Sequence, residues 1–188
     1  MMMTTDRKGN WIQTYTGRQF WPLDPRADEI DVIDIAHALS MQCRYAGHCL
    51  EFYSVAEHSV LVSRSLPPEL RLWGLLHDAS EAYLIDVPRP IKPYLRGYVE
   101  MEDRVMEEVA ERYNLDRPHR GYIPTLVKMA DARILVDERL QNMSRTHHVW
   151  SSDRLEPLGV KLECWWPLRA KAEFLDAFYT YTTIAAKA

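Results

Sequence analysis

The stretch Leu72-Trp73-Gly74-Leu75-Leu76-His77-Asp78-Ala79-Ser80-Glu81-Ala82-Tyr83 sets an imidazole and a carboxylate side by side at the end of a strongly apolar run, with a second carboxylate one turn later. Its length and composition predict a helix. A charged pair closing such a run is costly to bury unless something compensates it, and a bound metal ion does so. His-Asp dipeptides are common, so the neighbouring sequence has to carry the reading.

Upstream, Ser54-Val55-Ala56-Glu57-His58-Ser59 has capping-box spacing between Ser54 and Glu57, so Ser54 is expected to open a helix that presents His58 in its first turns. Downstream, in Val127-Lys128-Met129-Ala130-Asp131-Ala132-Arg133-Ile134-Leu135, Asp131 shares a helical face with Val127, Ile134 and Leu135. Two histidines and two aspartates from three helices make a ligand set for one divalent cation.

The ordered set His58, His77-Asp78 and Asp131 resembles the H…HD…D signature of the HD-domain metal-dependent phosphohydrolases. The segment from His77-Asp78-Ala79-Ser80-Glu81 to Asp86-Val87-Pro88-Arg89-Pro90-Ile91-Lys92 is similar to the active-site segment of the bacterial 5′-deoxynucleotidases of that superfamily and of phage enzymes that remove triphosphate from dATP. The resemblance covers roughly residues 30 to 142 and is most specific in its middle third. It implies an all-α fold, the four named residues as metal ligands, and phosphoester hydrolysis. In the similar nucleotidases the residues matching Glu81 and Asp86 are catalytic, the latter as acid for the leaving sugar oxygen. An Arg followed by an aromatic lies near the place of Arg44 and Tyr45 there, which implies that Arg44 contacts phosphate or sugar and that Tyr45 walls the sugar pocket. The family more often carries Trp at the second position. His48 is a further candidate facing the substrate.

The residues themselves point the same way. An octahedral ion with four protein ligands keeps about two positions for water and a phosphate oxygen. Glu81 follows His77 by four residues and Asp78 by three, so on a continuous helix it stacks over the ligand face, where it can orient or deprotonate water. Pro88, Pro90 and Pro93 forbid helix after Asp86 and favour an extended loop over the site. That loop carries Arg89 and Lys92, positive partners for phosphate alongside Arg44. The metal is one of manganese, cobalt, zinc, magnesium, nickel or iron, among which a two-nitrogen, two-oxygen set does not choose.

With 188 residues, 47% of them apolar, the chain suffices for one domain burying roughly 70% of its unfolded surface. A net charge of −4 argues against a broad nucleic-acid surface, whereas a small nucleotide needs only local positive charge. Cys43, Cys49 and Cys164 are an odd number, which favours a reduced compartment; the Cys43…His48-Cys49 cluster lacks the paired spacing of a structural zinc site. Met1 to Asn10 is polar and no apolar run reaches membrane length, so a soluble, cytoplasmic protein without membrane partners is expected.

Along the chain, residues 11–21 alternate about a Thr16-Gly17 turn, which predicts a short N-terminal β-hairpin. Helices are expected over 30–41, 55–65, 68–83, 95–114, 123–143 and 168–184, about six in one bundle, with the core at 30–143 and a C-terminal linker and helix at 144–188. The last helix is expected to face the core through Leu168, Ala172, Leu175 and Phe178. His37 reads as structural and His119, His147 and His148 as exposed. Trp150, Trp165 and Trp166 make the irregular link 144–167 too apolar for a free tail, so it packs on the domain or on a second copy in a homo-oligomer.

The expected function is hydrolysis of deoxynucleoside 5′-monophosphates. The alternatives are removal of tripolyphosphate from a deoxynucleoside triphosphate, or a non-catalytic nucleotide sensor. Guanosine polyphosphate hydrolysis fits less well, because those HD enzymes place a Glu-Asp pair where Glu81 is followed by Ala82.

Overall fold

The computed structural model describes residues 6–185; the first five residues of the polar N-terminal stretch and the last three of the C-terminal segment expected over 144–188 lie outside them. The architecture is all-helical with a two-stranded N-terminal hairpin. In chain order it comprises β1 (Ile12–Gln13), β2 (Gln19–Phe20), α1 (Val32–Met41), α2 (Val55–Arg64), α3 (Arg71–Leu76), α4 (Glu81–Leu84), α5 (Tyr98–Arg112), α6 (Thr125–Asn142) and α7 (Pro167–Ala185). The six expected helices are present, the third as two pieces.

The antiparallel hairpin pairs Ile12 with Phe20 and Gln13 with Gln19, and closes through Gly17 at φ +84°, a conformation that favours glycine. Phe20 is fully buried and stacks on Tyr83, while Thr16 donates through its N–H and hydroxyl to Asp34 on α1. These contacts fasten the hairpin to the bundle.

Helix α2 is the axis of the molecule. Every residue from Val55 to Ser63 is buried, because α1, α3, α6 and α7 all pack on it. Ser54 caps it as expected, accepting from the Glu57 N–H at 3.1 Å. The Glu57 side chain does not complete a capping box; it leaves the helix to bind the C-terminal link. Helix α3 approaches α2 closely at Gly74, where an added Cβ would lie 2.4 Å from Leu66 Cδ1 and 3.0 Å from Ser63 Cα.

The expected continuous helix over 68–83 tightens after Leu76. Ala79, Ala82 and Tyr83 bond to carbonyls three residues back, at 3.0, 3.2 and 3.1 Å, as does Glu81 to Asp78 at 3.0 Å. In this 3₁₀ geometry residues three apart eclipse, so Glu81 stacks with Asp78 and not with His77. The chain then leaves α4 through Ile85 at φ +71°, ψ +148°, a region that β-branched residues avoid. Gln42 straddles this turn: its Nε2 donates to the Glu81 carbonyl at 3.0 Å and its Oε1 accepts from the Asp86 N–H at 2.9 Å. Tyr98 donates to the Ile85 carbonyl at 2.5 Å, so the strained turn is held from both sides.

The α7 core face is offset from expectation. Ala170, Phe174, Ala177 and Phe178 are buried, whereas Leu168 is 75% exposed and Ala172 faces solvent. The rotation follows from Trp165, buried just before the helix, which fixes where the chain enters the bundle.

The link over 144–167 lies on the domain, strapped down by side chains. Along one stripe of α6, Arg133 donates to the carbonyls of Glu156 and Pro157. One turn on, Asp137 accepts from the N–H groups of Leu158, Gly159 and Val160 at 2.6, 3.0 and 3.2 Å. Gln141 then bonds the Val160 carbonyl and the Leu162 N–H. The fully buried Glu57 continues the series, accepting from Glu163, Cys164 and Trp165 at 2.8, 3.0 and 2.6 Å. Of the three tryptophans, Trp165 enters the core, Trp150 is partly buried and Trp166 is exposed.

Candidate metal centre and cleft

The four expected ligands converge. His58 Nε2 lies 3.3 Å from His77 Nε2, 3.3 Å from Asp131 Oδ1 and 3.6 Å from Asp78 Oδ2. His77 Nε2 lies 3.3 Å from Asp78 Oδ2 and 4.0 Å from Asp131 Oδ1. Donor atoms about 2.1 Å from an octahedral ion are about 3.0 Å apart when adjacent and about 4.2 Å when opposite. The observed separations fall close to that range, so His58, His77 and Asp131 could hold one divalent cation, with Asp78 beside the two histidines. His58, His77 and Asp131 form the tightest subset, with one donor atom from each within 4.8 Å of the others.

The outer nitrogens fix how the rings face the centre. His58 Nδ1 is 2.8 Å from Glu138 Oε1, and His77 Nδ1 is 2.7 Å from the Gly74 carbonyl. With Nδ1–H donating in both rings, both Nε2 atoms present lone pairs inward, the arrangement found behind metal-bound histidines. Two nitrogen lone pairs and two carboxylate oxygens then point at one another, largely out of solvent. A proton on His58 Nε2 relieves only its own contacts and leaves His77 Nε2 facing Asp78. In the ion-free centre, burial and Arg44 push the His58 imidazole down, but Glu138 and Asp131 outweigh them and carry it up to about 9. A dication held by these residues would meet all four acceptors, and its binding would compete with that proton.

Glu138 also belongs to this centre, a residue not expected there from the sequence. It is buried on α6, seven residues beyond Asp131 and so on the same face. Besides His58 it accepts from Arg44 Nη2 at 3.1 Å and from the Tyr45 hydroxyl. Burial alone would raise its pKa, but Arg44 and His58 hold it down at about 2. Spacing of i, i+7 from Asp131 was the available signal, weak without knowing which face was buried.

A cleft of about 480 Å³ opens over Asp78 and Asp131. The proline-rich loop forms one wall through Asp86, Val87, Pro88, Arg89, Pro90 and Lys92; Arg44, Tyr45, Glu81 and Leu135 line it as well. His48 is exposed and lies outside this lining, because Tyr45, Ala46 and Gly47 at φ +55°, +51° and +81° turn the chain outward after Tyr45. Burial, with Asp78 and Asp86 nearby, pushes Glu81 well above the usual carboxylate range, and its Oε2 has no hydrogen-bond partner. Burial also raises Asp86, with Arg44 opposing. Lys92 Nζ is 2.8 Å from Glu102 and 3.6 Å from Glu81; Arg89, with its side chain 70% exposed, is 3.6 Å from Asp131. A third wall comes from Trp150, Ser151 and Ser152 of the strap, which the sequence reading did not include.

Elsewhere, the three cysteines are unbridged, Tyr15 stacks on His37 at 3.7 Å, and no helix among the described residues is long and apolar enough to cross a membrane.

No protein-family model matches the chain. It is similar to two bacterial proteins. One is the uncharacterized protein RCAP_rcc00048 of Rhodobacter capsulatus, 38% identical over 134 residues, 66% of this chain and 68% of that one. The other is the uncharacterized protein YfdR of Escherichia coli K12, 41% identical over 130 residues, 69% of this chain and 71% of that one. At that identity and coverage, with the helical fold and the His-His-Asp-Asp cluster described above, the chain belongs to the family of YfdR.

Proposed function

We propose that the cleft hydrolyses deoxynucleoside 5′-monophosphates to deoxynucleoside and phosphate. The observation that carries the reading is the convergence of His58, His77, Asp78 and Asp131, whose facing nitrogens and carboxylate oxygens suit a bound divalent cation. Its order along the chain is the one shared with HD-domain phosphohydrolases, and the His77–Lys92 segment resembles the deoxynucleotidases among them. A divalent ion on these residues would acidify water and withdraw charge from a phosphoryl group.

The chain's own groups divide the remaining work. Glu81, eclipsed with Asp78 and carrying a free buried oxygen, takes the proton of the attacking water. Asp86, raised by burial, delivers a proton to the leaving sugar oxygen. Gln42 and Tyr98 keep the two acids in register across the Ile85 turn.

Charge favours one phosphate. The cleft is lined by three cations, Arg44, Arg89 and Lys92, against four acids, Asp78, Glu81, Asp86 and Asp131. Arg44 and Lys92 are already paired to Glu138 and Glu102. With a dication's charge met by Asp78 and Asp131, Arg89 is the lining cation left to face a phosphate, so a triphosphate brings far more negative charge than the walls can answer. The test is a panel of ribo- and deoxynucleoside mono- and triphosphates with each candidate metal, reading product phosphate length. Orthophosphate from monophosphates, abolished in Asp78→Ala, is expected. Tripolyphosphate would replace this reading with the triphosphohydrolase, and binding without turnover under every metal would replace it with the sensor.

A further inference from the structure

Ser152 is 5% exposed, lines the cleft, and its hydroxyl finds no partner. A buried unpaired hydroxyl costs free energy unless a ligand or water completes it. Beside it, Trp150 and Tyr45 meet with ring centroids 5.8 Å apart and planes inclined at 50°, an aromatic corner of the cleft lining. We propose that Trp150 and Ser152, with Tyr45, form the subsite for the organic half of the phosphoester: a planar heterocycle rests on the aromatic corner and offers a polar edge atom to Ser152 Oγ.

The segment is built as a fixed wall. The Trp150 N–H donates to Asp153 Oδ2 at 2.8 Å, Asp153 pairs with Arg139, and Arg139 donates to the His148 carbonyl at 3.1 Å. The Arg139 guanidinium also lies over the Trp150 ring, 5.4 Å from its centroid. Arg139 stands two helical turns beyond Asp131 on α6, about 12 Å along the axis. One helix thus carries both a residue of the candidate metal centre and the anchor of the Trp150 wall. Side chains so held are prearranged for recognition.

The inference rests on the phosphohydrolase reading, so its test has one arm in turnover and one in binding. Trp150→Ala should raise KM for deoxynucleoside 5′-monophosphates about tenfold, as loss of a base-stacking ring does, with a drop in kcat/KM at least about fivefold larger than for the ringless glycerol 2-phosphate. Trp150→Phe should restore most of it, and Ser152→Ala should change the ratio of KM values between purine and pyrimidine substrates. In chelator-treated protein, the indole N–H resonance lost in Trp150→Phe should shift on titration with the same nucleotides. Turnover by wild type with unchanged KM in folded Trp150→Ala and Ser152→Ala, and no resonance shift, would overturn the subsite while leaving the hydrolase standing. A saturable shift without turnover of any ester would do the reverse. Neither shift nor turnover would remove both.

Discussion

Glu57 and His58 are consecutive on α2 and equally sealed from solvent, yet they look in opposite directions and meet opposite conditions. Glu57 faces the strap, where three backbone N–H groups meet its two oxygens. His58 faces the candidate metal centre, where acceptors meet acceptors. Both regions bury charge. In the first the donors are part of the fold, so the carboxylate is structural; in the second only a proton on His58 or a bound cation can supply one. The count of donors against acceptors separates a structural acid from a functional one more sharply than burial does.

The widest test of that contrast is Asp131→Asn. Turnover should fall at least about a thousandfold, about 4 kcal/mol in barrier, and added divalent metal, which should raise the urea midpoint of chelator-treated wild type, should leave that of the variant unchanged. A variant raised by metal as far as wild type would mean that the ion does not sit at this centre, and the contrast would break. Next is Glu57→Gln, which turns an amide toward one of the strap N–H groups and should lower stability by about 3 kcal/mol in urea unfolding, with metal stoichiometry unchanged. Loss of metal binding there would join the two regions into one.

The pH dependence of chelator-treated protein sharpens the same point. His58 lies above its ordinary value, at about 9, so its contribution is fully present below about pH 6.5 and is lost as pH rises through 9. Stability should decline by up to a few kcal/mol across that window. Metal-loaded protein, with no proton there to lose, should lack the decline, and identical curves would argue that no ion replaces it. The smallest effect expected is that of Asp137→Asn, about 1 to 2 kcal/mol, because its three donors lie at the protein edge where water can substitute. An effect equal to that of Glu57→Gln would show that the whole strap is held as one unit.

Much of this was legible in the chain. His58, His77, Asp78 and Asp131 lie on periodic helices, and periodicity converts spacing into direction. The helix count and the hairpin at Gly17 followed from the same local rules. What stayed hidden depends on which elements meet. Glu57 looked like a capping partner because Ser54 stands three residues before it, but the strap offered its carboxylate three N–H groups. The tightening at His77–Ser80, which stacks Glu81 on Asp78, leaves no mark in residue type. Gln42, Trp150 and Ser152 sit in turns and extended segments whose destinations only tertiary packing decides, and the offset of the α7 face follows from where Trp165 anchors the chain.

Helix α6 carries Asp131, Leu135 and Glu138 toward the cleft and Arg133, Asp137 and Gln141 toward the strap. A single inserted or deleted residue would swing both rows by about 100° and break up the candidate centre and the anchorage together. Substitutions at 150–152, by contrast, leave the helix untouched. Divergence in what such proteins accept is therefore expected to accumulate in that short stretch, while α6 tolerates little change in length.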